Sequence, residues 1–252
     1  MPACIVRACL LLFPFLCHAG AAQLLATPRG ANIEIIEQAP AGNGPFPLLI
    51  LAPGQAFPMT MPLMEQVSHT LAANGVAVIR FNWAYYTQDA NTGAPSSGLA
   101  AEVEDMKTVL DFARAQARYD KQRIAVGGKS LGSLVTWKVL HGQPGLKAGL
   151  LLTPICGNSP PSSATKNYPG IENEKRPLAF IMGDNDALCS SANLYRFAAD
   201  AKSPVRVSVI GGDHLFRARA SGEADAAKLS ARNTGLAAQL AADFVAQSLQ
   251  RD

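Results

Sequence analysis

The segment IAVGGKSLG, residues 124–132, decides how the rest of the chain is interpreted. It holds a G-x-S-x-G pattern between a short apolar run and an amphipathic stretch, which is the strand-to-helix context that this pattern needs. A sharp turn there leaves no room for side chains at Gly128 and Gly132, and it projects the Ser130 hydroxyl above a sheet edge. The Leu131 amide is aimed at the same point. The segment therefore predicts a nucleophile elbow, and a plain helix N-terminus capped by Ser130 is the alternative.

The same residues also resemble the end of a phosphate-binding loop, G-x-x-x-x-G-K-[ST]. The leading glycine of that pattern would fall on Arg123, and only Gly127 and Gly128 precede Lys129. Two amides are too few to wrap a phosphate chain, and the lysine also breaks a G-x-G-x-x-G pattern. The sequence therefore disfavours nucleotide binding.

Short apolar runs alternate with amphipathic stretches on both sides of the elbow. Continuous apolar runs predict strands covered on both faces, and apolar residues at spacings of three and four predict helices. This alternation predicts the α/β class, with a doubly wound, mostly parallel sheet and helices on both faces. The predicted strands are Pro47–Leu51, Val76–Phe81, Ile124–Gly127, Ala148–Leu152, Pro177–Met182 and Val205–Ile210. The predicted helices are Pro62–Asn74, Glu102–Ala117, Leu131–His141, Ala192–Ala199 and a C-terminal helix around Leu236, Leu240 and Phe244.

Composition narrows the class of protein further. The chain has 252 residues, of which 48% are hydrophobic and 16% are charged, and these values suit a large apolar core. The formal charge of +3 is small and evenly spread, which disfavours nucleic-acid binding. Cysteine and histidine do not cluster at metal-ligand spacing, so no metal site is predicted. Because no linker divides residues 23–252, they are predicted to form a single domain.

The first 22 residues have the pattern of a signal peptide. Arg7 precedes the apolar stretch Ala8–Cys17, and the small residues 19–22 follow it. The apolar stretch covers about half of a bilayer span, so a membrane anchor is disfavoured, whereas a buried strand or short helix is the alternative. We expect cleavage near Ala21 or Ala22 and an exported protein, periplasmic or secreted, without a stable membrane span.

A serine nucleophile needs a base, and His214 is the best placed histidine. It follows the predicted strand Val205–Ile210, whereas His69 and His141 lie in predicted helices that explain them structurally. The acid should lie between serine and histidine in chain order. The segment GDND at residues 183–186 supplies two carboxylates. Asp186 is the predicted acid, and Asp184 is expected to bond the amides of its own turn.

The second donor to an oxyanion should come from the loop after the strand Pro47–Leu51. Gly54 in that loop permits a close approach, and the amide of Gln55 or Ala56 would then face Ser130. A plain Pro-Gly turn is the alternative. Gln55 is the predicted donor, together with the Leu131 amide.

Three aromatic residues follow the strand Val76–Phe81, namely Trp83, Tyr85 and Tyr86. They are candidates for lining the substrate pocket, and an ordinary core position explains them equally well. The 24 residues from Thr153 to Arg176 are too polar to form an apolar lid. The sequence therefore predicts an open site that favours short or soluble acyl substrates.

Two of the five cysteines, Cys156 and Cys189, lie outside the predicted signal peptide. Each follows one of two consecutive predicted strands, whose ends should be neighbours in a doubly wound sheet. A pair of cysteines in an oxidising compartment is a candidate disulfide, and a pair of free thiols is weighed almost equally.

Because of these candidate site residues and their order along the chain, the sequence resembles those of the α/β-hydrolases. It is similar in particular to the small lidless proteins of the dienelactone-hydrolase-like group, which includes the testis-expressed-30-like hydrolases. The likeness runs from about Pro47 to Val245 and rests on the blocks LILAPGQAFPM, IRFNWAYY, IAVGGKSLGS, FIMGDNDAL and VIGGDHLF. Two departures stand out. Pro53-Gly54 replaces the usual His-Gly of the oxyanion loop, and Ser130 stands where dienelactone hydrolases carry cysteine.

The resemblance implies an α/β-hydrolase fold without a cap domain, with Ser130 as nucleophile, Asp186 as acid and His214 as base. The expected reaction is hydrolysis of an ester-type bond, a carboxylic ester or a thioester, through an acyl-enzyme. A small-molecule acyl substrate is implied, and no metal or organic cofactor. The alternatives are a peptidase with the same triad and a binding or scaffolding protein on this fold.

Overall fold

One mixed sheet forms the centre of the molecule. The computed structural model describes residues 18–158, 164–220 and 222–250. Within them the strands are β1 (His18–Ala19), β2 (Gln23–Ala26), β3 (Asn32–Ala39), β4 (Phe46–Ala52), β5 (Ala77–Asn82), β6 (Tyr119–Lys129), β7 (Gly149–Leu152), β8 (Leu178–Gly183) and β9 (Val205–Ile210). Their order across the sheet is β1-β3-β5-β4-β6-β7-β8-β9, and β2 also pairs with β3.

The six predicted strands are all present as β4–β9, and they pair with one another in parallel. The predicted α/β class is confirmed. The antiparallel strands β1–β3 at one edge were not predicted. In β3 the buried Ile33 and Ile35 flank Glu34, whose charge interrupts the apolar run. Such alternation is typical of a strand with one solvated face.

Helices cover both faces of the sheet. Those described are α1 (Pro62–Ala73), α2 (Ala84–Gln88), α3 (Ala100–Ala115), α4 (Leu131–Gly142), α5 (Ala164–Asn167), α6 (Ser191–Ala198) and α7 (Glu223–Ser248), with short 3-10 turns at Ser97–Leu99 and Ile171–Asn173. All five predicted helices are present, and the C-terminal one begins earlier than its apolar residues indicated. The short helices α2 and α5 were not predicted.

The buried residues form two apolar layers, one on each face of the sheet. Leu48, Ile50 and Val126 point towards α3, α4 and α6. Leu49 and Leu51 alternate with them and point towards α1 and α7. This alternation explains why the central strands are continuous apolar runs, since both faces are covered.

No helix within the described residues is long and apolar enough to cross a membrane. Most of the predicted signal peptide, residues 1–17, lies outside the described residues. The expected cleavage point, near Ala21 or Ala22, falls between β1 and β2.

Candidate active site

Ser130 occupies the turn between β6 and α4, as the G-x-S-x-G pattern predicts. Its backbone has φ 53° and ψ −117°, a conformation that non-glycine residues rarely adopt. The Ser130 amide donates a hydrogen bond of 2.9 Å to the Leu152 carbonyl at the end of β7. Leu131 is the first residue of α4, so its amide has no acceptor within the helix.

Two glycines make the turn possible because other backbone atoms occupy the space of a side chain. A Cβ atom on Gly128 would lie 2.3 Å from the Gly132 carbonyl oxygen. A Cβ atom on Gly132 would lie 2.5 Å from the carbonyl oxygen of Pro53 in the loop after β4. The elbow is therefore packed directly against the loop that was predicted to supply the second oxyanion donor.

Hydrogen bonds of the Ser133 and Tyr168 hydroxyl groups stabilise the turn. Ser133 Oγ donates to the Ser130 carbonyl at 2.6 Å and lies 2.8 Å from the Tyr168 hydroxyl. That hydroxyl also accepts from the Ile155 amide at 2.8 Å. Tyr168 is fully buried, and burial raises the pKa of its phenol. Neither Ser133 nor Tyr168 was predicted, because the role of both depends on contacts between distant segments.

Asp186 and His214 form a hydrogen-bonded pair beyond the ends of β8 and β9. His214 Nδ1 lies 2.8 Å and 2.9 Å from the two carboxylate oxygens of Asp186. The Asp186 side chain is completely buried, whereas that of His214 is 18% exposed. Asp186 also accepts from the Leu188 amide at 2.8 Å, which fixes the carboxylate within its loop. An ionised carboxylate at Nδ1 selects the tautomer that carries its proton on that nitrogen.

The other ring nitrogen of His214 is free to accept a proton. Nε2 is buried and has no hydrogen-bond partner among the residues that the structure describes. A hydrogen bond between Nε2 and Ser130 is therefore not formed in this state. Catalytic hydrogen bonds of this kind often tighten only when substrate is bound.

Asp184 differs from its predicted role. Its carboxylate accepts from the Gly212 amide at 2.9 Å, so it bonds the histidine loop and not its own turn. The physical reason is the close approach of the two loops, since Asp184 also donates its amide to the Ile210 carbonyl at 2.7 Å. Asp184 thus holds the loop that carries His214.

The remaining described histidine side chains lie away from this pair. His69 is exposed on α1, and His141 lies at the end of α4 with its ring 5.2 Å from that of Trp137. His141 Nδ1 is 3.8 Å from the Glu174 carboxylate. Among the described residues, no group of three or more His, Cys, Asp or Glu side chains is arranged to hold a metal ion.

The loop after β4 lies against the nucleophile. A Cβ atom on Gly54 would be 3.6 Å from Ser130 Cβ, and the exposed Gln55 follows directly. Two buried polar residues of β5 fix the far end of this loop. Asn82 Oδ1 accepts from the Met59 amide at 2.7 Å, and Arg80 donates to the Met59 carbonyl at 3.0 Å.

The three predicted pocket aromatics have different environments. Trp83 is fully buried with its ring centre 4.8 Å from that of Phe81, so it belongs to the core and does not line an open pocket. Tyr85 and Tyr86 are half-buried. Burial raises the pKa of the Tyr85 phenol, and the nearby Ala56 amide opposes that increase. The Tyr85 hydroxyl is buried and has no hydrogen-bond partner among the described residues.

Cys156 and Cys189 form a disulfide with a Cα–Cα distance of 4.6 Å, and both are fully buried. Backbone hydrogen bonds join the same two loops. The Leu188 carbonyl accepts from the Cys156 amide at 3.1 Å and from the Gly157 amide at 2.8 Å. The loop that carries Asp186 is thus tied both covalently and through its backbone to the loop after β7.

Lys129, which precedes the nucleophile candidate in the elbow, is a further polar residue of this region. Its side chain is fully buried, and Nζ has no hydrogen-bond partner among the described residues. Nζ lies 5.6 Å from the centre of the Phe57 ring. A lysine in a sequence usually indicates a solvated position, so only the packing around it reveals this burial.

Comparisons with known proteins agree with this architecture. Residues 46–245 match the family model described as an alpha/beta hydrolase domain. A dienelactone hydrolase from Anabaena variabilis is similar in structure, with a TM-score of 0.71 and 17% identity over 93% of this chain and 99% of that one. Est1E from Butyrivibrio proteoclasticus gives a TM-score of 0.69 and 17% identity over 92% and 100% of the two chains. An alpha-beta serine hydrolase homologue from Coxiella burnetii gives 0.66 and 18% over 88% and 98%. At these identities the likeness shows a shared fold.

Proposed function

The chain belongs to the α/β-hydrolase family and is a hydrolase, and on that premise we propose that it cleaves a carboxylic ester or a thioester through a serine triad. Ser130 is the proposed nucleophile, His214 the base and Asp186 the acid. The observation that carries the proposal is the hydrogen bond between His214 Nδ1 and the buried Asp186 carboxylate. It leaves Nε2 without a hydrogen-bond partner among the described residues, which supports its role as the base.

In the first half of the reaction, Ser130 Oγ attacks the carbonyl carbon of the ester while His214 Nε2 takes its proton. The carbonyl oxygen becomes an oxyanion that accepts hydrogen bonds from the amides of Leu131 and Gln55. The C–O or C–S bond to the leaving group then breaks. The proton on Nε2 passes to the leaving alcohol or thiol, and the acyl group stays on Ser130.

In the second half, His214 takes a proton from a water molecule that attacks the acyl-enzyme. The bond between the acyl carbon and Ser130 Oγ breaks, and the serine recovers its proton from Nε2. Asp186 stays ionised throughout and stabilises the imidazolium that forms twice in each cycle. The products are a carboxylic acid and an alcohol or thiol.

The segment between β7 and β8 supports a preference for short or soluble substrates. Its described residues fold back onto the core, where Tyr168 is buried and Ile171 is 3% exposed. A segment used in this way is not free to form an apolar lid. We therefore propose hydrolysis of dissolved substrates, without activation at a lipid surface.

We also propose that the protein is exported, after removal of residues 1–21 or 1–22. The sequence pattern supports this, and a disulfide is compatible with an oxidising compartment. Mass spectrometry of the N-terminus in the exported fraction tests it. Export requires a new N-terminus at Ala22 or Gln23, and a full-length chain recovered only from the cytosol would contradict it.

Covalent labelling tests the triad directly. A serine-directed fluorophosphonate should label the wild-type protein on a peptide that contains Ser130, and Ser130→Ala should remove both labelling and ester hydrolysis. Loss of a triad member typically costs on the order of 10⁴-fold in turnover. His214→Ala should lower both readouts as strongly, whereas the exposed His69→Ala should change neither. Full hydrolysis by Ser130→Ala would exclude the proposal, provided that circular dichroism shows a native fold.

A further inference from the structure

A small cavity lies where the loop after β4, the start of α1, the loop that carries His214 and the helix α7 meet. Its volume is about 260 Å³, slightly below the range of sites for drug-sized ligands. The residues that form its walls are Phe57, Met61, Pro62, Leu63, Leu215 and Thr234. Five of these six side chains are apolar, so the cavity has mainly apolar walls.

The cavity adjoins the proposed triad. A Cβ atom on Gly54 would lie 3.5 Å from Phe57 Cδ2 and 3.6 Å from Ser130 Cβ, so the Phe57 ring and the Ser130 side chain lie close to the same point. Leu215 follows His214 directly in the chain. A group that occupies the cavity would therefore belong to a molecule that also reaches Ser130.

The apolar walls are not fully covered by the protein. Phe57, Met61 and Leu215 are each half-buried, so they present apolar surface to water next to the nucleophile. Removal of such surface from water is favourable in proportion to the area covered. An aliphatic chain of the substrate would cover it.

The polar side chains of this region are not available to a ligand. The Thr234 hydroxyl donates to the Ser230 carbonyl at 2.9 Å. The nearby Lys129 is fully buried, so its ammonium group is out of reach of a bound molecule. A charged group in the cavity would lose part of its hydration without gaining an oppositely charged side chain, and this is costly. The cavity therefore favours an uncharged occupant.

We propose that this cavity holds an unbranched, uncharged aliphatic chain of the ester or thioester. This inference rests on the proposed function of the same site and names its substrate class, namely neutral esters or thioesters with one short alkyl chain. The chain can belong to the acid or to the alcohol, and the experiment distinguishes the two.

Two series of neutral esters test the proposal. Ethyl esters of acetic to octanoic acid vary the acyl chain, and acetates of ethanol to octanol vary the alcohol chain. In one of the series kcat/KM should rise about four-fold for each added methylene group, the value of one buried CH₂, and should fall once the cavity is full. A maximum in the first series assigns the cavity to the acyl chain, and a maximum in the second assigns it to the alcohol. The absence of a maximum in both series would overturn the proposal.

Thr234→Phe links the maximum to the cavity, because the new ring would fill part of it from α7. The maximum should move to shorter chains, and kcat/KM for the ester preferred by the wild type should fall roughly 10-fold relative to ethyl acetate, the loss of about two buried methylene groups. Leu236→Phe, at an exposed position of the same helix, is the matched control and should keep the wild-type profile.

A structural disturbance of the site would instead lower the hydrolysis of every ester by the same factor. Such an equal loss in Thr234→Phe, or an unchanged chain-length profile, would show that the cavity does not select the substrate. If Thr234→Phe does not fold, the smaller Thr234→Leu takes its place.

A pair of esters with equal chain length tests the exclusion of charge. Ethyl hexanoate and monoethyl adipate share a six-carbon acyl chain, which ends in a methyl group in the first and in a carboxylate in the second. For the alcohol, the corresponding pair is hexyl acetate and 6-acetoxyhexanoate. In the series that shows the maximum, the carboxylate should lower kcat/KM by roughly 10- to 100-fold. Equal or faster hydrolysis of the anion would contradict the proposal.

Binding without turnover separates this inference from the proposed reaction. Ethyl hexanoate or hexyl acetate should raise the melting temperature of Ser130→Ala, and neither should affect the double variant Ser130→Ala/Thr234→Phe. Equal shifts in both variants, or none in either, would refute the role of the cavity whatever the fluorophosphonate result. A shift in Ser130→Ala alone would support it even if Ser130 proved not to be the nucleophile.

Discussion

The elbow around Ser130 and the loops that carry Asp186 and His214 are held in place by different means. The elbow lies near the centre of the sheet, between β4 and β7, where backbone atoms approach so closely that Gly128 and Gly132 have no room for a side chain. The loops after β8 and β9 lie towards the sheet edge. Side-chain hydrogen bonds and the disulfide between Cys156 and Cys189 hold them.

This difference separates two ways of fixing catalytic geometry. At the elbow, the close packing of backbone atoms fixes the geometry. A single added methyl group would therefore disturb it. The loops of the acid and the histidine also meet closely, since a Cβ atom on Gly183 would lie 2.2 Å from the Gly212 carbonyl oxygen. They depend in addition on individual side-chain bonds and a disulfide, which can be removed without a change in packing volume. Substitutions in the two regions should therefore have different effects on stability and on the rate of reaction.

Asp186→Asn should have the largest effect, about 10⁴-fold on kcat, or roughly 5.5 kcal/mol in the activation barrier. An amide in place of the carboxylate favours the wrong tautomer of His214 and no longer stabilises the imidazolium. Ester hydrolysis at a fixed pH measures the loss, and the melting temperature should change little.

Asp184→Asn is the matched control. It weakens the contact of 2.9 Å to the Gly212 amide but leaves the His214 pair intact, so a loss of less than 10-fold is expected. If Asp184→Asn proved the more damaging of the two, the roles of these carboxylates would be exchanged.

Removal of the disulfide should destabilise the fold more than it slows the reaction. The bridge joins residues 33 positions apart, for which chain entropy gives about 3–4 kcal/mol in the free energy of unfolding. Cys156→Ser/Cys189→Ser should lose this stability in urea denaturation. Its kcat should fall less than that of Asp186→Asn, since the backbone bonds between the loops remain.

Reductant provides the internal control for the bridge. Dithiothreitol should lower the unfolding midpoint of the wild type to that of the double variant and leave the double variant unchanged. Two free thiols titrated in denatured, unreduced protein from the exported fraction would disprove the bridge.

Gly128→Ala tests the other region. The added methyl group would meet the Gly132 carbonyl at 2.3 Å and Thr136 Oγ1 at 2.7 Å, so the turn must shift. Overpacking of this kind costs about 3 kcal/mol of stability, and the displaced Ser130 should also react more slowly with a fluorophosphonate. Gly142→Ala, at a site with no atom within 4 Å of the new Cβ, should be neutral in both assays. Equal behaviour of the two variants would remove excluded volume as the cause.

Tyr168→Phe should have the smallest effect, about 1 kcal/mol of stability. It removes the hydroxyl that joins Ser133 Oγ to the Ile155 amide while keeping the ring. The rate of Ser130 labelling should fall only a few-fold. Thermal unfolding measures the change in stability, and labelling kinetics measure the change in rate. Tyr195→Phe, on an exposed ring, should change neither.

The central part of the fold could be predicted from the sequence because burial on both faces produces continuous apolar runs. Leu48–Leu51 is such a run, and the strand in the structure extends it by only a few residues. The antiparallel edge escaped prediction because β3 has a solvated face, where Glu34 and Glu37 interrupt the pattern. The helix α2 has only five residues, too few to show a helical periodicity of apolar residues.

Local patterns suffice for parts of the site and fail for others. Chain order and strand ends indicated Ser130, Asp186 and His214, and their roles in catalysis stay predictions. An aromatic sequence pattern cannot distinguish a pocket position from a core position, so the sequence alone does not place Trp83. Lys129 and Tyr168 gave no sign of burial, since their surroundings are built by segments far away in the chain, such as Phe57 and Leu215 around Lys129.

The position of β9 as the last strand of the described sheet also affects how the protein should lose activity on warming. This strand has one neighbour and its residues are only partly buried, in contrast to the fully buried β5 and β8. Edge strands with few buried contacts open at a lower free energy than the whole domain. Opening of β9 would carry His214 away from Ser130 while the central strands remained paired. Heat inactivation should therefore begin below the temperature at which the secondary structure melts, and it should be reversible at that stage.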